Sequence, residues 1–347
     1  MKAVRLQGPG LVELVELPVP SIGSGELLLE MRACGLCGTD LAKIFSGPVS
    51  NGPVPLGHEL VGVVAAVGEG VRRFAPGDRV AVAHHVPCGR CRHCRHGNEP
   101  MCSQFKATNL DPGGFAELVR IPAAQVEQTA FRLPDSLPDE VGVFMEPLAC
   151  ALRAVKRSDV QAGDQIAVVG AGSMGLLVAQ AIGRRGAIPI CLDLREERLE
   201  MARTLGLENT VNVSTSEPTS ALLDLTGGQG IDGAILTAVS GPILQSSLAA
   251  LRDGGRITLF AEASGATHLP IDLSGFWRRE LCLTASYSTT PVELAEAIDL
   301  LISGAVEVRP LVSHRFDLTR FQDGVRLQRE GRATKVLFSP GHGGERA

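Results

Sequence analysis

Gln165-Ile166-Ala167-Val168-Val169-Gly170-Ala171-Gly172-Ser173-Met174-Gly175-Leu176-Leu177-Val178-Ala179 is the stretch on which the fold turns. The short apolar run to Val169 predicts a buried strand, and the apolar residues after Gly175 predict a helix. A bare G-x-G-x-x-G is weak evidence. Here a strand precedes it, a helix follows it, and an acid, Asp193, closes the next apolar run, Ile188-Pro189-Ile190-Cys191-Leu192. Glycines let the backbone approach a pyrophosphate at a helix N-terminus, and the acid binds ribose hydroxyls. Gly170, Gly172, Ser173, Met174 and Gly175 are therefore read as a dinucleotide phosphate turn. Asp193 repels a 2′-phosphate, which favours NAD over NADP. Arg195 and Arg198 are close by in sequence and weigh the other way, unless Arg198 lies against the adenosine instead. The uncharged run 165–183 is long enough to raise a membrane span, but its four glycines fit a strand–turn–helix better.

Outward from this stretch the βα alternation continues. Residues 231–238 and 256–260 are strand-like with a helical 243–251 between them, 281–287 is a last strand, and 293–302 is an amphipathic helix. The N-terminal side has another style. Leu11-Val12-Glu13-Leu14-Val15-Glu16 alternates strictly, Pro18, Pro20 and Gly23 punctuate, and residues 60–82 continue likewise, which predicts short antiparallel strands in a β-barrel-like domain. Residues 113–119 return to strand, 137–155 switch to helical spacing, and 306–338 mix the two. The nucleotide domain is thus expected over 151–287, inserted into a catalytic domain made of 1–150 and 288–347, with a loose tail over 340–347.

Two turns in the first part offer metal ligands. Ala33-Cys34-Gly35-Leu36-Cys37-Gly38-Thr39-Asp40 supplies a thiolate, and Gly57-His58-Glu59-Leu60-Val61-Gly62 supplies an imidazole and a carboxylate. A catalytic zinc takes three such ligands and keeps one position open. A lone buried cysteine and a core-satisfied histidine are the bland alternative. Cys88-Gly89-Arg90-Cys91-Arg92-His93-Cys94, closing at Cys102, spaces four thiolates as C-x2-C-x2-C-x7-C, a structural-zinc pattern that leaves no open position. Its spacing lacks the ferredoxin ending of an iron–sulfur site. Glu146, within Phe144-Met145-Glu146-Pro147-Leu148, is an acid in apolar company, costly unless paired or metal-bound.

Composition sets the bounds. The 347 residues, 44% hydrophobic and 20% charged, suit a globular chain of two domains. A net charge of −5 gives no general affinity for nucleic acid or an anionic membrane, so Arg90, Arg92, His93, Arg95 and His96 read as a solvated rim. Met1-Lys2-Ala3-Val4-Arg5 lacks the apolar core of a signal peptide, and nine cysteines with four clustered fit reduced, metal-binding thiols, so the expected location is cytoplasmic.

Gly57-His58-Glu59-x2-Gly62-x5-Gly68-x2-Val71 resembles the zinc-site signature of the zinc-dependent medium-chain dehydrogenase/reductases. Cys37-Gly38-Thr39-Asp40, the four-cysteine lobe, Glu146-Pro147-Leu148-Ala149 and the Gly170 turn follow in that family's order over essentially the whole chain. The acid after His58 and the Glu146 segment are most similar to the sorbitol (polyol) and L-threonine dehydrogenase branch. The resemblance implies an α/β two-domain protein: a chaperonin-10 (GroES)-like β-barrel catalytic domain and a Rossmann domain with a doubly wound parallel sheet. It implies two zinc ions per chain, one on Cys37, His58, Glu59 and Glu146, the other on Cys88, Cys91, Cys94 and Cys102. It also implies hydride transfer between NAD and a small secondary alcohol or polyol, Thr39 taking the proton, in a homodimer or homotetramer. L-Threonine or another amino alcohol is the alternative substrate.

Charge counting adds an expectation. Cys37, Glu59 and Glu146 would set −3 against the +2 of zinc, so Glu59 and Glu146 do not both hold the metal tightly while substrate is bound. The chain departs from the family at Ala42, where many members carry a relay histidine, and Lys43 follows. The substrate pocket is expected near Phe45, Thr108, Phe115 and Tyr287, with Lys43 the one nearby cation for a phosphorylated polyol. A zinc-ribbon nucleic-acid-binding protein is the reading from another class. Intact Cys37, His58 and Glu59 speak against a zinc-free quinone reductase.

Overall fold

The computed structural model describes residues 1–46, 54–262 and 271–341. The expected loose tail falls largely on 342–347, outside the described residues. The chain divides into two compact units, Pro147–Thr289 and a second made of Met1–Glu146 with the segment from Thr290 on. Pro147 to Cys150 and Ser288 to Thr289 thus go with the nucleotide unit, and the first break falls inside the helix Met145–Arg157.

In the nucleotide unit six parallel strands lie in the order Thr210–Asn212, Ile188–Asp193, Gln165–Val169, Ile231–Leu236, Leu251–Leu259, Cys282–Ala285. By sequence that is third, second, first, fourth, fifth, sixth, the doubly wound order of a dinucleotide fold. Ile166, Ala167 and Val168 are at most 1% exposed, so the first strand is covered on both faces, as parallel sheets require. The uncharged run resolves into the strand Gln165–Val169 and the helix Ser173–Arg184. No described helix is long and apolar enough to cross a membrane.

The other unit is built on the strand Leu27–Gly35, in which Leu27, Leu29 and Met31 alternate inward. It pairs antiparallel with Glu59–Val67 and Leu118–Ile121, and the sheet runs on through Arg79–Val82 to Ala130–Arg132. Late in the chain the strand Lys335–Ser339 returns to it, setting Leu337 opposite Gly35 and Phe338 opposite Cys34. The Phe115, Phe321 and Phe338 rings pack at centroid distances of 4.7 to 5.4 Å, edge-on or tilted, aromatic contacts worth about 1 kcal/mol each beyond their burial.

The strand expected over 113–119 begins only at Leu118. A Cβ on Gly113 would lie 2.4 Å from the Leu56 carbonyl oxygen, and one on Gly114 2.8 Å from Cys34 Sγ. Instead of joining the ladder, this segment is pressed onto the loop before His58: Gly114 N–H donates to Gly57 O at 2.9 Å.

Candidate active site

Gly35 faces Glu59 across the antiparallel pair of strands Leu27–Gly35 and Glu59–Val67. Cys37 therefore lies just past the end of one strand and His58 just before the start of the next. The ligand atoms of Cys37, His58 and Glu59 all lie within 4.8 Å of one another. Gly35 is a glycine for a visible reason: a Cβ there would meet Glu59 Oε2 at 1.9 Å.

Asp40, fully buried, ties the two turns together. Its Oδ2 accepts the Cys37 N–H at 3.2 Å, and its Oδ1 accepts the Gly57 N–H at 2.9 Å. The same Oδ1 lies 3.5 Å from His58 Nδ1, which leaves Nε2 for a metal. Burial opposes a charge on His58, but the Asp40 carboxylate and then Cys37 outweigh it and hold the imidazole well above its usual pKa.

Glu59 has a partner that its sequence neighbourhood does not announce. Lys335 Nζ donates to both Glu59 oxygens at 2.7 Å, and the two side chains are 4% and 0% exposed. Burial pulls the Lys335 pKa down, but Glu59, then Cys37 and Glu146, raise it above the ordinary value. Glu146 is buried in the first turn of the helix Met145–Arg157, where its charge reaches Lys335, yet it does not share the 4.8 Å spacing of the three donors. Thr39 is exposed at the start of the helix Gly38–Ser46; in the next turn Lys43 Nζ donates to Pro55 O at 3.1 Å.

Two imidazoles lie alongside. The His58 and His84 ring centroids are 4.6 Å apart, and those of His84 and His85 3.7 Å. His85 Nδ1 is 2.6 Å from the Thr108 carbonyl oxygen, and burial pulls the His85 pKa down to about 4. The neutral ring must therefore donate through Nδ1–H and keep Nε2 as an acceptor. Thr108 thus orients His85. Phe115 is not a pocket residue but a core ring, 1% exposed. Phe45 lies under the Arg329 guanidinium at 4.1 Å, beside a cavity of about 430 Å³ that none of the three donors lines. Tyr287 is 60% exposed, in the nucleotide unit.

Cys88, Cys91, Cys94 and Cys102 converge likewise within 4.8 Å. Their closest sulfurs are 3.5 Å (Cys91–Cys94) and 4.0 Å (Cys88–Cys94) apart. Four thiolates around a zinc at ~2.3 Å stand about 3.8 Å apart, whereas a disulfide needs ~2.05 Å. The Cys91 N–H donates to Cys88 Sγ at 3.3 Å. The Arg90 and Cys91 N–H groups pull the Cys88 pKa down, whereas burial and then the Cys91 thiol push Cys94 up to about 12, so the convergence of the four sulfurs carries the site.

In the nucleotide unit the phosphate turn is tightly built. Gly170 has φ +97°, and a Cβ on Gly175 would meet Gly170 O at 1.7 Å, so the helix can start this close to the strand only with glycine there. A Cβ on Gly172 would meet nothing nearer than Arg198 Nη1 at 4.0 Å, which leaves room for a phosphate. Ser173 Oγ is buried at the head of the helix with no partner, beside half-buried Met174. Asp193 Oδ2 accepts the Ala171 N–H at 2.8 Å and lies 3.3 Å from Arg198 Nη1; Oδ1 accepts the Arg195 N–H at 3.0 Å. The donor sets fit two zinc ions, and the turn fits a dinucleotide.

The alcohol dehydrogenase GroES-like domain family matches residues 23–135, and the zinc-binding dehydrogenase family matches 172–303. The chain is 32% identical to sorbitol dehydrogenase of Bacillus subtilis, over 98% of this chain and 97% of that one. It is also 32% identical to L-threonine 3-dehydrogenase of Deinococcus radiodurans, over 97% of each. The solved galactitol-1-phosphate dehydrogenase of Escherichia coli superposes with a TM-score of 0.87 at 28% identity, over 98% of this chain and 100% of that one.

Proposed function

This chain belongs to the zinc-dependent medium-chain dehydrogenase/reductases, in their sorbitol and L-threonine dehydrogenase branch, and we propose that it oxidises a secondary CH–OH of a polyol at Cys37, His58 and Glu59. The convergence of those three donors within 4.8 Å carries this reading. When bound, the zinc supplies Lewis acidity toward a hydroxyl and the nicotinamide accepts hydride. The chain's own residues do the rest. Asp40 orients His58 and braces both ligand turns. Thr39, exposed two residues past Cys37, is the hydroxyl that takes the substrate proton. With Ala42 in place of a relay histidine, that proton leaves by water or the cofactor ribose. Cofactor binding falls to the unit Pro147–Thr289 and metal chemistry to the other. Asp193, buried and drawn to the phosphate turn, supports NAD over NADP, because a 2′-phosphate beside it would bring like charges together.

The experiment is a panel of polyols, simple secondary alcohols, galactitol 1-phosphate and L-threonine, with NAD and NADP, before and after chelation. The expected result is the highest kcat/KM for a polyol, at least tenfold preference for NAD, and loss of turnover on chelation. Turnover that survives complete zinc removal would end the reading. L-Threonine as the best substrate would replace the polyol, as its relatives permit.

We also infer a homodimer. Among the described residues the edge strand Cys282–Ala285 is paired on one side only, and Leu283 on it is 40% exposed. The adjoining helix Leu273–Arg278 exposes Leu273 by 74% and Trp277 by 78%, so this edge is open to a second chain. Trp277 is the only tryptophan. Dilution should therefore red-shift its emission as sedimentation moves from dimer to monomer, and Leu283→Lys should give monomer at all concentrations. An unpaired wild-type chain at micromolar concentration would refute the dimer.

A further inference from the structure

Of the two glutamates near the metal donors, Glu59 alone shares their spacing, and it is also the one that faces a buried cation, Lys335. Its ammonium is buried, 2.7 Å from both Glu59 oxygens, and so contends with the metal for the same carboxylate. The pairing is built rather than incidental. The strand Lys335–Ser339 is held in register against Leu27–Gly35, Gly35 lacks the Cβ that would evict the Glu59 carboxylate, and Lys335 Nζ also reaches Leu36 O at 3.5 Å. Both groups are too buried for solvent to weaken the attraction.

We propose that Lys335 is a positioning residue that makes Glu59 a displaceable metal ligand, holding its carboxylate ready to leave the zinc when substrate enters. This rests on the metal-site reading above. On this proposal Glu59, the glutamate hydrogen-bonded to the cation, is the one that gives way.

The proposal predicts a direction that simple structural damage would not produce. Removing the Lys335 charge frees Glu59 for the metal alone, so zinc should leave more slowly. The measurement is zinc release to a colorimetric chelator from zinc-loaded enzyme. The catalytic-site phase is identified as the one absent in Cys37→Ser. In Lys335→Met that phase is expected to slow at least tenfold, and likewise in Lys335→Gln, which keeps a hydrogen-bond donor without the charge. Lys335→Arg should stay within about threefold of wild type, and Lys335→Met combined with Glu59→Gln should lose the slowing. Unchanged or faster release in both neutral variants overturns the proposal. So does failure of both to fold with zinc bound, because the metal is meant to take over the pairing. A wild-type enzyme with no Cys37-dependent phase overturns the metal-site reading itself.

Discussion

Serine in place of Cys37 should lower kcat/KM for the alcohol at least about a thousandfold and remove one of the two zinc ions, while dinucleotide binding and the circular dichroism spectrum stay as they were. A thousandfold is about 4 kcal/mol of transition-state stabilisation, within the several kcal/mol that a Lewis acid supplies. The cause is the loss of one donor from a set of three: a neutral hydroxyl is a poor zinc ligand at neutral pH, so His58 and Glu59 remain as a pair. The turn itself survives, because Asp40 holds it through the Cys37 backbone N–H rather than through sulfur. NADH binding survives because the phosphate turn belongs to a unit with its own core. Zinc content by atomic emission, NADH fluorescence and steady-state rates decide the matter together. Two zinc ions with undiminished turnover would remove Cys37 from the site.

The second large effect concerns the four-cysteine lobe. Its helix, Arg92–Arg95, buries no residue at all, so little besides the metal can hold it in place. Arg90, Arg92 and Arg95 are exposed on it without an ion pair among the described residues, although many arginines elsewhere in the chain are paired. Cys94→Ser should therefore lose the second zinc and be cut by trypsin at these arginines at least about a hundredfold faster than wild type. A hundredfold corresponds to about 2.7 kcal/mol of local stability, well below the ~10 kcal/mol that a structural zinc contributes. Mass mapping of the early fragments locates the cuts. A lobe equally resistant without its metal would show that packing, not zinc, orders it.

Much of this was legible in the residues. The turn at Gly170 carries its flanking strand, its helix and its acid within one short window, so the nucleotide fold could be read locally. The Cys37, His58 and four-cysteine ligands announce themselves because metal chemistry admits few residue types at few spacings. What stayed hidden depends on pairing between distant segments. Lys335 looks like an ordinary strand residue, and nothing near it in sequence points to Glu59, 276 residues away. Asp40 was visible as a residue of the ligand turn, but its three-way hold on Cys37, Gly57 and His58 needs the fold. Phe115 was expected near the substrate pocket, but its ring is buried in the core. The two glycines before it, Gly113 and Gly114, serve a close backbone approach to Leu56 and Cys34 that no sequence pattern announces.

The strand that carries Lys335 is synthesised 276 residues after Glu59 and after the whole nucleotide unit. Cys37, His58 and Glu59 emerge long before it, so the nascent barrel holds a cluster of anionic ligands without its own countercharge, while the contiguous nucleotide unit can complete its sheet during synthesis. The Lys335–Ser339 side of the catalytic sheet can therefore close only after the whole nucleotide unit has been made.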